Sequence, residues 1–391
     1  MDILNNKAAA TLSVVAAGAI AWLTWHTPEA LSILALLFPP LAFAQRTRIG
    51  AAGVALIYYG ASSVPVLQIW CRYFGRGSVW LGLLSWAIAG GILAIPWIGL
   101  WIRDRNQTWW RLPAALVFAT VPPIGIIGWE SPVMPAGILF PAVGWLGIAL
   151  AIWVIVAIRM HAWNTIIAIG LVSLASNHLR RCDRTRAPDW TAVNTTFGNV
   201  QRSDGPLGEF SIAEQIQRTA LDTSGRVIIF PEMVVENWGE GADAFWRPTF
   251  EKLRERGSTI LIGARLPVPD STTEYRNAVV IRGADNPPEF QQRIPVPIAM
   301  WKPWGRNGQV PLNLFGPTTV QLAGERAAIL ICYEQLLAWS YVTAMWQRPS
   351  VIVGVSNAYW TGATVIPKNQ FAALQSWGRL FNIPIVSATN Y

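Results

Sequence analysis

Two apolar runs in the second half of the chain end in residues able to do nucleophilic and acid–base chemistry. RVIIF at 226–230 leads into Pro231 and Glu232, and AAILI at 327–331 leads into Cys332, Tyr333 and Glu334. A thiol after one buried strand and a carboxylate after another can share a cleft, because sites in α/β folds gather at the carboxyl ends of strands. A cysteine nucleophile needs a base to take its proton, and histidine is the usual partner. The three histidines, His26, His161 and His178, all precede this region, so Cys-His and Ser-His-Asp machinery is not expected in it. A partly buried glutamate can serve instead, and Glu232 is the natural choice. Taken singly, Cys332 reads as a small core residue and Glu232 as a solvated loop acid. Glu334, at the end of a buried strand, is harder to place without a partner. The pattern carries the chemistry more than any one residue does.

These residues need a layered scaffold. Alternating apolar runs and turn residues predict strands at Val227 to Phe230, Thr259 to Gly263, Ala278 to Ile281, Ala327 to Ile331, Val351 to Val355 and Ile383 to Val386. Helical stretches fall at Phe210 to Leu221, Ala242 to Arg256 and Gln370 to Phe381. An α/β fold follows for residues 191–391. Cys71, Cys182 and Cys332 form no CxxC pair, so neither a zinc site nor a disulfide framework is expected, and no metal or organic cofactor is implied.

The first 177 residues have a different character. Only 13% of the chain is charged, 52% is hydrophobic and 22 residues are tryptophan, a composition that points to a bilayer. The apolar runs predict a bundle of about seven transmembrane helices: Ala8 to Trp25, Ala30 to Ala44, Gly50 to Trp70, Val79 to Ile102, Leu112 to Trp129, Val133 to Ile158 and Trp163 to Ser176. The second and seventh are short for a span of ~20 residues, so six spans is the competing count. Trp22, Trp25, Trp70, Trp80, Trp101, Trp109, Trp110, Trp129 and Trp163 lie near run ends, where an amphipathic ring suits the headgroup layer. The first run is expected to be a span and not a cleaved signal peptide. No run holds Asp, Glu or Lys in its interior, and Glu29 and Glu130 lie at run ends, which argues against an ion path. The net charge of +8 is scattered through short loops, so no nucleic-acid binding is expected. With a cytoplasmic N-terminus, Lys7, Arg46, Arg48, Arg103, Arg105, Arg111 and Arg159 fall inside, and the second half falls outside the cytoplasm. Residues 178–190 read as a linker.

FPE at Phe230 to Glu232, ICYE at Ile331 to Glu334, SNAYWTG at Ser356 to Gly362 and SATN at Ser387 to Asn390 together resemble the carbon-nitrogen hydrolase (nitrilase) superfamily. Their order behind a polytopic bundle resembles apolipoprotein N-acyltransferase and a family of plasmid conjugal transfer proteins related to it. The resemblance implies an αββα sandwich, shortened at its C-terminus, with Cys332 as acylated nucleophile, Glu232 as general base and Glu334 as an orienting acid. It places Tyr333, Asn357 and Trp360 at the substrate. It further implies a bacterial inner-membrane location with a periplasmic soluble domain, a lipid or lipoprotein substrate, and the conjugation machinery as partner.

Some motif positions depart from the family. The family's oxyanion lysine, counted back four from Val296 and Pro297, falls on Gln292, and a further glutamate falls on Met300. Arg293 and Lys302 are the nearby cations for that role. The acid usual within SNAYWTG is Ala358. Two functions are therefore carried forward: a thioester-forming amidase or N-acyltransferase, and a catalytically inactive membrane scaffold of the conjugation apparatus.

Overall fold

The unbroken apolar runs of the second half become strands buried on both faces, the pattern parallel pairing requires. They are seen in a computed structural model that describes residues 2–27, 29–179, 189–198, 206–271, 273–302, 304 and 309–391. Cys182 and most of the expected linker lie outside the described residues. The chain divides into two compact units. One comprises Met1–Arg184, Leu336–Trp339 and Ala363–Asn382; the other comprises Thr185–Gln335, Ser340–Gly362 and Ile383–Tyr391.

The second unit holds two sheets. β1 (Trp190–Ala192), β2 (Val227–Ile229), β3 (Thr259–Pro267), β4 (Tyr275–Gly283) and β5 (Phe290–Gln291) form a five-stranded sheet in that order. β6 (Thr319–Leu322), β7 (Glu325–Ile331), β8 (Val351–Asn357) and β9 (Ile385–Asn390) form a four-stranded one. β1, β2 and β3 run parallel, β4 and β5 return antiparallel, and β7, β8 and β9 are again parallel.

Side chains alternate between the faces of a strand, and that alternation builds the layers. Val227, Ile229, Leu261, Val279 and Ile281 of the first sheet share one buried cluster with Ile329, Ile331, Val353 and Val355 of the second. On the other face of the first sheet, Ile228, Phe230, Ile260, Ile262 and Val280 pack with Ile216, Trp246 and Phe250 of helices Pro206–Asp222 and Glu240–Glu255. The order is helix, sheet, sheet. Each large aliphatic side chain so buried contributes about 1.5–3 kcal/mol before entropy is counted. Every predicted strand is present. β1, β5, β6 and the helix Ala338–Trp346 were not anticipated.

Among the described residues of the first unit, two helices, Ala8–His26 and Arg76–Gly99, are long and apolar enough to cross a membrane. A third span results if Arg48–Ser62 and Pro65–Phe74, bent by 52° at their junction, are counted as one. Pro65, which offers no N–H to the preceding turn, sits at that bend. Three of the other expected runs are interrupted, whereas the seventh is one continuous helix, Trp163–Leu179, of 17 residues. The fifth run stops as a helix at Thr120, before Val121, Pro122 and Pro123. The sixth divides into Ala136–Leu139 and Trp145–Met160, and the second is a 3-10 turn, Glu29–Leu37, running into Phe38–Phe43.

Two tryptophans expected at the headgroup layer are core residues instead. Trp25 is 2% exposed and Trp129 7%. Trp25 Nε1 donates to Tyr58 OH at 3.1 Å and Trp97 Nε1 to Tyr59 OH at 2.9 Å, so the indole and phenol tips satisfy each other away from water. Glu130, expected at a run end, is also buried and accepts a hydrogen bond from Ser62 Oγ at 3.2 Å. Helix Ile366–Phe381 belongs to this unit: Arg379 O accepts from Ala142 N at 2.7 Å, and Ser376 Oγ donates to Met134 O.

Candidate active site

The end of β7 delivers Cys332 into a short 3-10 turn, Cys332–Leu336, with φ of 52° at the cysteine. A non-glycine residue in this left-handed region costs of order 1–3 kcal/mol and persists only where the surroundings enforce it. The sharp turn lifts the thiol off the strand axis, and Cys332 is half-buried. Glu232 comes from the loop after β2. That loop folds over Gly263 of β3, whose N–H donates to Pro231 O at 3.1 Å and whose carbonyl accepts from Val234 N at 2.9 Å. A Cβ at 263 would lie 2.2 Å from Pro231 O and 2.5 Å from Glu232 Cα, so only glycine permits this approach.

Glu232 is 3% exposed. Its Oε1 accepts from Asn277 Nδ2 at 2.6 Å and its Oε2 from the backbone N–H of Asn357 at 2.9 Å. The Cys332 thiol is hydrogen-bonded to the same carboxyl group. Burial pushes the pKa of Glu232 up to about 7, against the hydrogen bonds from Cys332, Asn277 and the Asn357 N–H. Burial also raises the Cys332 thiol well above its ordinary value, with the Glu232 charge adding to the effect, while the N–H groups of Asn357 and Tyr333 at the sulfur act the other way. The resting pair is thus a thiol beside a carboxyl poised near neutrality. Such a pair transfers its proton as the sulfur attacks and holds no standing thiolate beforehand.

Glu334 is fully buried and plays a different part. Its Oε1 accepts from the N–H groups of Arg293 and Ile294 at 3.0 and 3.2 Å, and its Oε2 from Ile331 N at 3.0 Å. Burial raises its pKa, and the facing Arg293 opposes this. Arg293 lies 3.5 Å from Glu334 through Nε, with both side chains sealed from solvent, and its Nη1 donates to Thr343 Oγ1 at 3.1 Å. Lys302 is half-buried and makes no ion pair among the described residues. Gln292, at the lysine position, is 2% exposed and bonds Asn277 Nδ2 through Oε1 at 3.0 Å and Ile331 O through Nε2 at 3.1 Å. Met300 is packed with Tyr275 and Val310.

The remaining expected residues surround this cluster. Tyr333 is buried, with its backbone N–H at the sulfur. The Asn357 side chain accepts from Tyr359 N at 3.3 Å and from Asn390 Nδ2 at 3.2 Å, fixing the SNAYWTG turn to the SATN strand. Trp360 is half-buried, its ring edge-on to Tyr359 at 5.4 Å. Among the described residues no cluster of His, Cys, Asp or Glu could hold a metal ion.

No protein-family model matches the chain. In sequence it is similar to the conjugal transfer protein TraB of Agrobacterium fabrum, 31% identical over 395 residues that cover 96% of this chain and 91% of that protein. The chain belongs to the TraB family of conjugal transfer proteins. A probable conjugal transfer protein TraB of Sinorhizobium fredii is 29% identical, with 97% of each chain covered. Among solved structures the chain is similar to a mutant amidase from Nesterenkonia sp. AN1 with acetamide covalently added at its active-site cysteine. That match has 13% identity, a TM-score of 0.38, and covers 53% of this chain and 78% of the other. A second mutant of that amidase, described as of the nitrilase superfamily, matches with a TM-score of 0.36 and 11% identity.

Asn277, which donates directly to Glu232, was not singled out from the sequence. A signal for it exists in this TraB family chain: within YRNAVVIRG it falls on the same face as Val279 and Ile281, where an amide without a partner would be costly. Asn390, which accepts from Thr195 Oγ1 and Phe197 N and donates to Asn357, was read only as part of SATN.

Proposed function

We propose that this chain is a membrane-bound carbon-nitrogen hydrolase-like enzyme of plasmid conjugal transfer, an amidase or N-acyltransferase that works through a thioester on Cys332. The observation that carries the reading is the hydrogen-bonded pair of Cys332 and Glu232, with Cys332 in a left-handed turn at a strand end. In this reading Cys332 Sγ attacks the carbonyl carbon of an acyl donor while its proton passes to Glu232. The oxyanion forms beside the Tyr333 N–H at the sulfur, the Asn357 N–H being held by Glu232 Oε2. Collapse breaks the bond to the leaving amine or alcohol, which takes the proton from Glu232 and leaves the thioester. Water or an acceptor amine then attacks the thioester, again giving its proton to Glu232, and the thiol is restored. Tyr333, Asn357 and Trp360 line the substrate, and Arg293 and Lys302 are the side-chain cations nearest in sequence.

The reading gives the first unit a multi-pass place in the bacterial inner membrane, with an αββα hydrolase domain on the periplasmic side and a membrane lipid or lipoprotein as substrate. Its support is the outward display of Leu12, Val15, Ile88, Phe118, Trp153 and Leu174, each more than half exposed, which suits lipid better than water. A second reading, an inactive scaffold that assembles or regulates the conjugation apparatus, is favoured by Gln292 at the lysine position and by Met300 in an apolar cluster.

Intact-protein mass spectrometry separates the two. Wild type and Cys332→Ala are incubated with native membrane lipids. An acyl adduct on the wild type alone supports the enzyme and identifies the acyl group; no adduct, together with unchanged conjugation frequency for Cys332→Ala, leaves the scaffold.

A further inference from the structure

A chain of neutral amides runs from the backbone beside the nucleophile to the base, and its direction is chemically forced. Ile331 O is only an acceptor, so Gln292 turns Nε2 towards it, at 3.1 Å. That leaves Gln292 Oε1 facing Asn277, which must answer with Nδ2, at 3.0 Å. The second proton of the same Nδ2 goes to Glu232 Oε1 at 2.6 Å. Asn277 is fully buried, and its own Oδ1 is left without a hydrogen-bond partner. An asparagine kept only for packing would have its acceptor satisfied. Asn277 instead spends both N–H groups on Gln292 and Glu232. Since Ile331 is bonded to Cys332, the ring closes: nucleophile backbone, Gln292, Asn277, Glu232 and the thiol.

We propose that Asn277, held in place by Gln292, is the positioning residue of this site, fixing the Glu232 carboxylate against the Cys332 thiol with uncharged donors in place of a cation. The inference rests on Glu232 acting as the base for Cys332. Its consequence is a base with no positive neighbour among the groups that act on it, in keeping with its titration at about pH 7.

The test is alkylation of Cys332 by iodoacetamide in the full chain in detergent, followed by mass spectrometry over pH values on both sides of 7. In the wild type the rate climbs with pH through an inflection near 7. Asn277→Leu slows it roughly ten- to hundredfold, the scale of a hydrogen bond to a charged group, and produces no further slowing in a Glu232→Gln background. Gln292→Lys, which brings a cation to the same place without removing Asn277, moves the inflection to lower pH. Wild-type rates for Asn277→Leu, equal slowing in the Glu232→Gln background, or an unmoved inflection in Gln292→Lys each overturn the proposal. Should Asn277→Leu not fold, the Gln292→Lys profile decides. If Glu232→Gln itself leaves alkylation unchanged, the base assignment falls, and that outcome is distinct from failure of the Asn277 role alone.

Discussion

Glu334 Oε2 accepts the backbone N–H of Ile331, the residue directly before Cys332, at 3.0 Å. Through its other oxygen the same carboxylate holds the N–H groups of Arg293 and Ile294. It therefore ties the end of β7 to the segment carrying Gln292, and it faces the sealed guanidinium of Arg293. Removing it strands that buried charge, so Glu334→Ala is expected to lose about 3–5 kcal/mol of stability. Glu334→Gln keeps the shape but only one acceptor, and is expected to lose about 1–3 kcal/mol. Denaturant unfolding of both variants checks this, and a Glu334→Ala midpoint equal to wild type would refute the tie.

The strands that position Glu232 and Cys332 were legible in the sequence because parallel strands buried on both faces leave unbroken apolar runs. VII of β2 and AAILI of β7 are of this kind. β1, β5 and β6 left no such trace, being edge or near-edge segments of two to four residues. Glu334 was legible as an acid out of place, whereas Asn277 was not, since a lone amide within a long strand carries no charge to draw notice. The contacts of Arg293 show why proximity in sequence is a weak guide to a site cation. It adjoins Gln292, yet its guanidinium meets Glu334. In the first unit the apolar runs were visible, but prolines and turns divide several of them into pieces shorter than a bilayer requires.

The raised pKa of Glu232 gives stability a pH dependence of definite sign. The folded value, about 7, lies above the unfolded value of 4.5, so the native state binds the proton more tightly. The stabilisation is fully present below pH 4.5 and is lost as pH rises through 7. Glu232→Gln lacks this loss. Relative to its difference from wild type at pH 4, the variant should gain on the order of 3 kcal/mol by pH 9. Unfolding free energies of both proteins at the two pH values measure it, and a constant difference contradicts the raised value.

Gly263 sets where Glu232 sits, because β3 and the loop after β2 touch backbone to backbone there. With the added Cβ 2.2 Å from Pro231 O, neither partner can yield as a flexible side chain could. Gly263→Ala is expected to cost about 1–3 kcal/mol, as overpacking does, and to slow iodoacetamide alkylation of Cys332 by moving Glu232. Gly241 has nothing within 4 Å of its built Cβ and lies at the start of helix Glu240–Glu255, so Gly241→Ala should be neutral or gain up to about 1 kcal/mol. Equal stability and equal alkylation rates for the two variants would show that the close approach is not needed.

The last expectation concerns the backbone of Cys332 itself. At φ of 52° a residue with a Cβ is strained, and glycine is not. Glycine is ordinarily the worse substitution, because it adds freedom to the unfolded chain by about 0.4–1 kcal/mol relative to alanine. Here the order should reverse, with Cys332→Gly more stable than Cys332→Ala by about 1 kcal/mol, since relief of the left-handed strain outweighs the added freedom. Both variants lack the thiol, so the comparison isolates the backbone from the chemistry. If Cys332→Ala proves the more stable of the two, the turn is relaxed and the thiol is presented without strain. If Cys332→Gly does, the fold bears a destabilising conformation at one residue, the residue whose sulfur that conformation presents to the Glu232 carboxyl.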